Sequence, residues 1–270
     1  MTKEKKYAIL DTDFVSKTNI IEAAPGDTLA NRVMEFPGYE FYCHDMMLEE
    51  LGRRGTRAAQ RWVQDNIESG LIHRYTDSDI LDILSVEIGN HNISMYLLFL
   101  KISCDIYGKS YFEEKYASLI ALSDETITKQ QFLAELRKCD DNIGVQQSLG
   151  EKKAYVLLQA LHFIKGDNVF LFCSDDLGAR RGLADAAGIP CISVMAVFMK
   201  LKNMGLKKEE TARYYESFVE WCHKHRQTQI YVWEFHGSKR RVKRDLHAIF
   251  DGLYRDEYIL MLNGDLLIKE

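Results

Sequence analysis

The sequence predicts an α/β protein built on an open parallel sheet flanked by helices, with a helical insertion and a small C-terminal α+β extension. Three observations carry this. The apolar runs Tyr7-Ala8-Ile9-Leu10 and Val169-Phe170-Leu171-Phe172-Cys173 have the length and composition of strands buried on both faces. The second run leads into the polar stop Ser174-Asp175-Asp176, a helical stretch through Arg180, Leu183, Ala184 and Ala187, a capping Gly188, and a further strand-like run, Cys191-Ile192-Ser193-Val194. Strand, helix, strand in this order implies a right-handed parallel crossover. Finally, Asp11, Glu50, Glu151 and the pair Asp175-Asp176 all fall next to expected strand ends or helix starts.

Along the chain, the apolar spacing from Met46 to Leu51 reads as a short helix, Arg57 to Ile67 as another, and Leu71 to Tyr75 as a strand. From Ser78 to about Cys139 the pattern is helical and rich in large apolar residues, giving an insertion at about residues 78–140. Lys152 to Ile164 is apolar almost all round, as in a helix buried against a sheet, and Glu151 stands where it begins. Beyond Gly205 come a helix from about Lys208 to His225, a strand over Gln229 to Phe235, and a basic segment leading into Leu246 to Tyr254. With only three prolines and no low-complexity tract, no flexible linker is marked. The expected organisation is one α/β domain over residues 1–206 with residues 207–270 packed on it.

Composition narrows the function classes. A chain of 270 residues, 46% hydrophobic, can bury a large core, and no apolar run reaches the roughly 18 to 20 residues of a membrane helix. The amino-terminal Met-Thr-Lys-Glu-Lys-Lys leads into a strand rather than a signal-peptide core, so a cytoplasmic location without membrane contact is expected. The six cysteines lack Cys-x-x-Cys spacing and read as reduced structural thiols. A net charge of -5 argues against coating nucleic acid through bulk charge, although local basic patches can still steer a phosphate backbone.

The acidic pattern has a chemical consequence. A carboxylate at the carboxyl end of a parallel strand sits at the rim where open α/β sheets bind ligands. Several carboxylates converging there repel one another unless a cation joins them, which points to a hard divalent ion such as Mg²⁺.

These residues resemble a family. Ile9-Leu10-Asp11-Thr12-Asp13-Phe14-Val15-Ser16 looks like the first motif of PIN-domain nucleases, notably the VapC-like toxins. Glu50-Leu51 is similar to the acidic residue on their early helix, Gly150-Glu151-x-x-Ala154 to their third acidic site, and Ser174-Asp175-Asp176-x-x-Ala179-Arg180 with Ala187-Gly188-Ile189 to the fourth. The likeness runs from about Lys6 to Leu206 and is interrupted by an insertion longer than small toxins carry; residues from about Lys207 have no counterpart in it.

The resemblance implies a PIN-like fold and Mg²⁺- or Mn²⁺-dependent hydrolysis of RNA, with single-stranded DNA not excluded. In it Asp11, Glu50, Glu151 and Asp176 would be catalytic metal ligands, joined or replaced at the last position by Asp175. Thr12, Asp13 and Ser174 would support them. A toxin-like nuclease would also need restraint, which leaves open a protein inhibitor or antitoxin and a homodimer. Basic side chains near such a pocket would hold flanking phosphates: Arg53 and Arg54, Arg180, and the run containing Lys239, Arg240 and Arg241.

Simpler readings stand beside these. Ser174, Asp175 and Asp176 suit a helix N-cap, Glu151 suits a helix first turn, Glu49 and Glu50 suit a solvated face, and the basic runs suit solvated helix faces. Cys222, His223 and His225 lack a fourth ligand at zinc spacing. His44 suits a structural hydrogen bond, and Tyr214, Tyr215, Trp221 and Trp233 suit core better than base stacking. Two further functions remain open. Asp11-Thr12-Asp13 also fits the nucleophile motif of haloacid-dehalogenase-like phosphatases, and the chain could be a non-catalytic PIN-like adaptor for RNA or protein.

Overall fold

The computed structural model describes residues 5–106, 108, 110–120, 127–143, 149–166 and 169–269; residues 121–126 of the expected insertion and the first four residues lie outside them. The strands are β1 (Lys6–Leu10), the small hairpin β2 (Glu22–Ala24) and β3 (Asp27–Thr28), β4 (Tyr39–His44), β5 (Ile72–Tyr75), β6 (Val169–Cys173), β7 (Cys191–Ile192), β8 (Gln229–Phe235), β9 (Lys239–Asp245), β10 (Tyr258–Leu260) and β11 (Leu266–Ile268). The principal sheet has the order β5-β4-β1-β6-β7, with β1 parallel to β4, β4 to β5 and β6 to β7. It is flanked by helices, so the chain is an open α/β protein. No described helix is long and apolar enough to cross a membrane.

By its packing the chain forms two compact units, each made of two stretches: Met1–Thr12 with Gly38–Leu171, and Asp13–Pro37 with Phe172–Glu270. Residues 207–270 belong to the second unit together with residues 172–206 and the segment 13–37.

In the first unit, Ala8 pairs with Phe41 and Ile9 with Tyr42, while His44 pairs with Tyr75. Strand β4 was not anticipated, because Tyr39-Glu40-Phe41-Tyr42-Cys43-His44 mixes polar and aromatic residues, yet Phe41 through His44 are buried. Residues 77–143 form helices Asp77–Ile88, Asn92–Asp105, Tyr111–Lys115, Ala117–Ile120 and Lys129–Ile143, with no strand among the described residues. The first of these is fixed at its start by a reciprocal capping box between Thr76 and Asp79.

The helix Leu149–Lys165 is the spine of this unit. Its first ten residues are buried apart from Glu151, and they include two lysines. Lys153 is wholly buried, with its Nζ 2.8 Å from Asp140 and 3.0 Å from Asp77, and it donates to the Tyr96 hydroxyl at 3.1 Å. Burial opposes its charge, but Asp140 and Asp77 outweigh burial and hold the ammonium above its usual pKa. His44 belongs to the same network: its Nδ1 accepts from the Met46 N–H at 3.1 Å, which leaves the proton on Nε2 facing Asp77 at 3.0 Å. This structural bond is the simpler role expected of it.

In the second unit, β6 pairs with β7 through Phe172 and Cys191. The expected strand 191–194 stops two residues early, because the buried Ser193 caps the helix Val194–Asn203, its Oγ accepting from the Ala196 N–H at 3.1 Å. The helix Leu177–Ala187 ends at Gly188 in the left-handed conformation, φ 65°, where a side chain would be strained. A second sheet has the order β10-β11-β8-β9. The segment expected only as basic is thus the edge strand β9, zipped antiparallel to β8 from Gln229–Asp245 to Phe235–Lys239. Tyr215 and Phe250 stack 4.2 Å apart in the core beneath, and all six cysteines of the chain are buried and free.

Candidate active site

In the first unit the acidic residues are positioned by β1 and two helices. Asp11 follows directly on the buried end of β1 and is itself buried, as is Thr12, which opens the helix Thr12–Ile20. Glu50 lies on the helix Met46–Arg53 and is 4% exposed. Its Oε2 accepts the Thr12 hydroxyl at 2.6 Å, and its Oε1 accepts the Gly150 N–H at 3.0 Å. A buried carboxylate must be compensated, and here a neutral donor engages each of its oxygens.

The contact with Gly150 admits no side chain. A Cβ there would lie 2.5 Å from the Glu50 Oε2, so glycine is required by close approach rather than by backbone conformation. The chain of bonds Thr12, Glu50, Gly150 therefore ties together the residues next to Asp11, Glu50 itself, and the residue next to Glu151. Three of the acidic sites flagged in the sequence are joined in this way. Glu151 lies in the first turn of its helix and is half-buried.

Glu49 and Glu50 separate cleanly. Glu49 points outward to Arg137, at 2.8 and 3.1 Å, and to Arg53 at 3.1 Å, and the Arg137 bond holds its carboxyl below the usual range. Arg53, expected at the substrate, is thus engaged on the surface, while Arg54 ends that helix exposed.

One residue near this cluster escaped the sequence reading. Lys152 is almost fully buried, its ammonium 4.3 Å from the Tyr111 ring centre. Burial pushes its pKa down to about 8, against the opposing pull of Cys104, Glu151 and Glu50. Two adjacent lysines at the start of an otherwise apolar helix were the available signal.

In the second unit the fourth acidic site is organised around a lysine. Lys17 Nζ lies 2.6 Å from Asp175 and 3.1 Å from Asp13, and Asp175 also accepts the Val194 N–H at 3.1 Å. Burial alone would lower the Lys17 pKa; Asp175 and Asp13 raise it overall. Asp176 caps the helix Leu177–Ala187 by accepting from the Ala179 N–H at 2.7 Å, and the buried Ser174 hydroxyl accepts from the Asp176 N–H at 3.1 Å. Asp13 and Asp175 are therefore ion-paired, and the expected capping role of Ser174 and Asp176 is realised.

Arg180, expected at the substrate, is 5% exposed, and its guanidinium is held by Asp265 at 2.8 Å and by the Asn263 carbonyl. Asp265 in turn accepts from the Trp233 Nε1 at 2.9 Å, and Arg180 lines a cavity of this unit. Of the basic run, Arg240 pairs with Glu234 on one face of the hairpin, whereas Lys239 and Arg241 lie on the other face and are exposed. A cavity of about 280 Å³ in this unit is lined by Lys17, Asp175, Trp221, Tyr231 and Arg241 among others.

The donor set of the first unit suits a hard divalent cation in kind, since carboxylate oxygens are the ligands Mg²⁺ and Mn²⁺ take. Glu50 accepts one hydrogen bond at each oxygen and keeps a further lone pair on each. Among the described residues, however, no group of three or more His, Cys, Asp or Glu side chains stands in an arrangement that could hold an ion.

The fold and site define an α/β protein with buried carboxylates beside the carboxyl end of a parallel strand. Comparison of the chain with family models, with curated proteins and with solved structures finds no match.

Proposed function

We propose that this chain is a metal-dependent nuclease acting on RNA, with Asp11, Glu50 and Glu151 holding Mg²⁺ or Mn²⁺. The observation that supports it is the Thr12–Glu50–Gly150 link, which keeps a buried, charged carboxylate oriented beside two further acidic positions. When bound, such an ion lowers the pKa of a coordinated water and stabilises charge on a phosphate oxygen. Thr12 and Gly150 orient Glu50.

Asp11→Asn is expected to abolish Mg²⁺-dependent cleavage of RNA while leaving thermal unfolding cooperative. Full residual cleavage by a clean Asp11→Asn preparation would sink the assignment.

One observation favours a second reading, a non-catalytic protein that binds RNA on a PIN-like frame: the described carboxylates do not form a ready metal group. The two readings part on metal binding. A ligand held only by the native state raises the melting temperature, so Mn²⁺ stabilises the nuclease and leaves the adaptor unchanged.

A further inference from the structure

We propose that the outer face of the β8–β9 hairpin is a platform for single-stranded RNA. In an antiparallel pair, directly opposed residues share a face and alternate residues lie on it. The register places Tyr231 opposite Lys243, Trp233 opposite Arg241 and Phe235 opposite Lys239. One face of the ribbon thus carries three aromatic rings on β8 and, facing each of them, a cation on β9.

The other face is of a different kind. It carries Val232, wholly buried, and Glu234, also buried, and so packs inward. That inward packing leaves Tyr231 47% exposed and Phe235 43% exposed, with Lys239, Arg241 and Lys243 exposed beside them, while Trp233 between the two rings is half-buried and anchored by its N–H to Asp265. Large rings left in water at alternate positions are costly unless something covers them.

Charge and shape select the occupant. The three successive positions Lys239, Arg241 and Lys243 on this face are cationic, with Asp245 beyond them engaged as the cap of the helix Leu246–Tyr254, so in a protein whose net charge is -5 the strip attracts a polyanion. Aromatic faces at alternate positions take flat, unstacked bases, which a duplex does not present. The Arg241 guanidinium already lies 4.2 Å from the Tyr231 ring centre, a stacked pair of the kind that extends onto a base. The strip also runs into the cavity lined by Tyr231, Arg241, Lys17 and Asp175, which gives a bound strand a path from the hairpin to the fourth acidic site. The edge position of β9 leaves the cation row open along its length. The choice of RNA over DNA rests on the nuclease reading; the platform itself rests on the hairpin alone.

The test is fluorescence anisotropy with a short labelled poly-U RNA, in chelator, at several salt concentrations, using the full chain carrying Asp11→Asn. Tyr231→Ala with Phe235→Ala is expected to weaken binding by about tenfold or more per ring, while Tyr231→Phe retains it. Lys239→Gln with Lys243→Gln is expected to flatten the salt dependence by roughly 0.7 per lost phosphate contact. Unchanged affinity in the aromatic variant, with an unchanged melting temperature, overturns the platform, as does preference for duplex RNA; preference for single-stranded DNA overturns its assignment to RNA. Because binding is read without metal and cleavage is assayed separately in the parent chain, loss of either result leaves the other standing.

Discussion

In the first unit the carboxylate of Glu50 is gripped by a hydroxyl and a backbone N–H; in the second, the carboxylate of Asp175 is gripped by the ammonium of Lys17. Both residues belong to acidic sites that look alike in sequence. Their partners make them chemically different. Glu50 is held directly by neutral donors, with the buried Lys152 near enough to interact with it, whereas Asp175 and Asp13 are paired directly with the Lys17 ammonium. The difference favours the first unit as the place where metal chemistry would be centred.

The largest expected effect on this contrast comes from Gly150→Ala. The new methyl would meet a carboxylate that has no route to solvent, so the variant should lose about 3 kcal/mol from overpacking and a broken charged hydrogen bond. Chemical denaturation measures this, and any stabilisation by Mn²⁺ should vanish with it. A stable Gly150→Ala variant that still responds to Mn²⁺ would show that the Glu50 link does not organise the site.

A smaller effect is expected from Lys17→Met, at about 1 kcal/mol, because its partners are partly solvated. Its pH dependence sharpens the contrast. The Lys17 pKa is raised in the folded state, so its contribution is full below the ordinary lysine value of about 10.4 and is lost as pH rises through the higher folded value. The variant should remove that alkaline loss.

Lys152 gives the opposite signature. Its folded pKa, pushed down to about 8, lies below the unfolded value, so the unfolded chain binds more protons between them and stability rises with pH from about 8 towards about 10.4. Lys152→Met should flatten that rise in denaturation curves taken across the window. A rise that persists in Lys152→Met would assign it to another group.

Much of the frame could be read locally. Strands β1 and β6, the helix between Asp176 and Gly188, and strand β8 follow from apolar runs, caps and stops that act within a few residues. Strand β4 did not, because its apolar content is diluted by Glu40 and His44, and only pairing with β1 on one side and β5 on the other makes it a strand. The basic run Lys239 to Arg244 was visible as charge. Its place on an edge strand, with Tyr231, Trp233 and Phe235 opposite, was set by a pairing that charge cannot announce.

The sequence by itself therefore determined which residues carry charge and which of the strongly patterned segments are strand or helix, since both are matters of composition and short-range sterics. It determined Asp11, Glu50, Glu151 and Asp175-Asp176 as the acidic positions to watch. Only the tertiary structure decided what each one meets: Thr12 and Gly150 for Glu50, Lys17 for Asp175, and Asp77 and Asp140 for the buried Lys153. Hydrogen bonds and Coulomb forces act across space, and the partners that fix a carboxylate's charge lie up to 158 residues away along the chain.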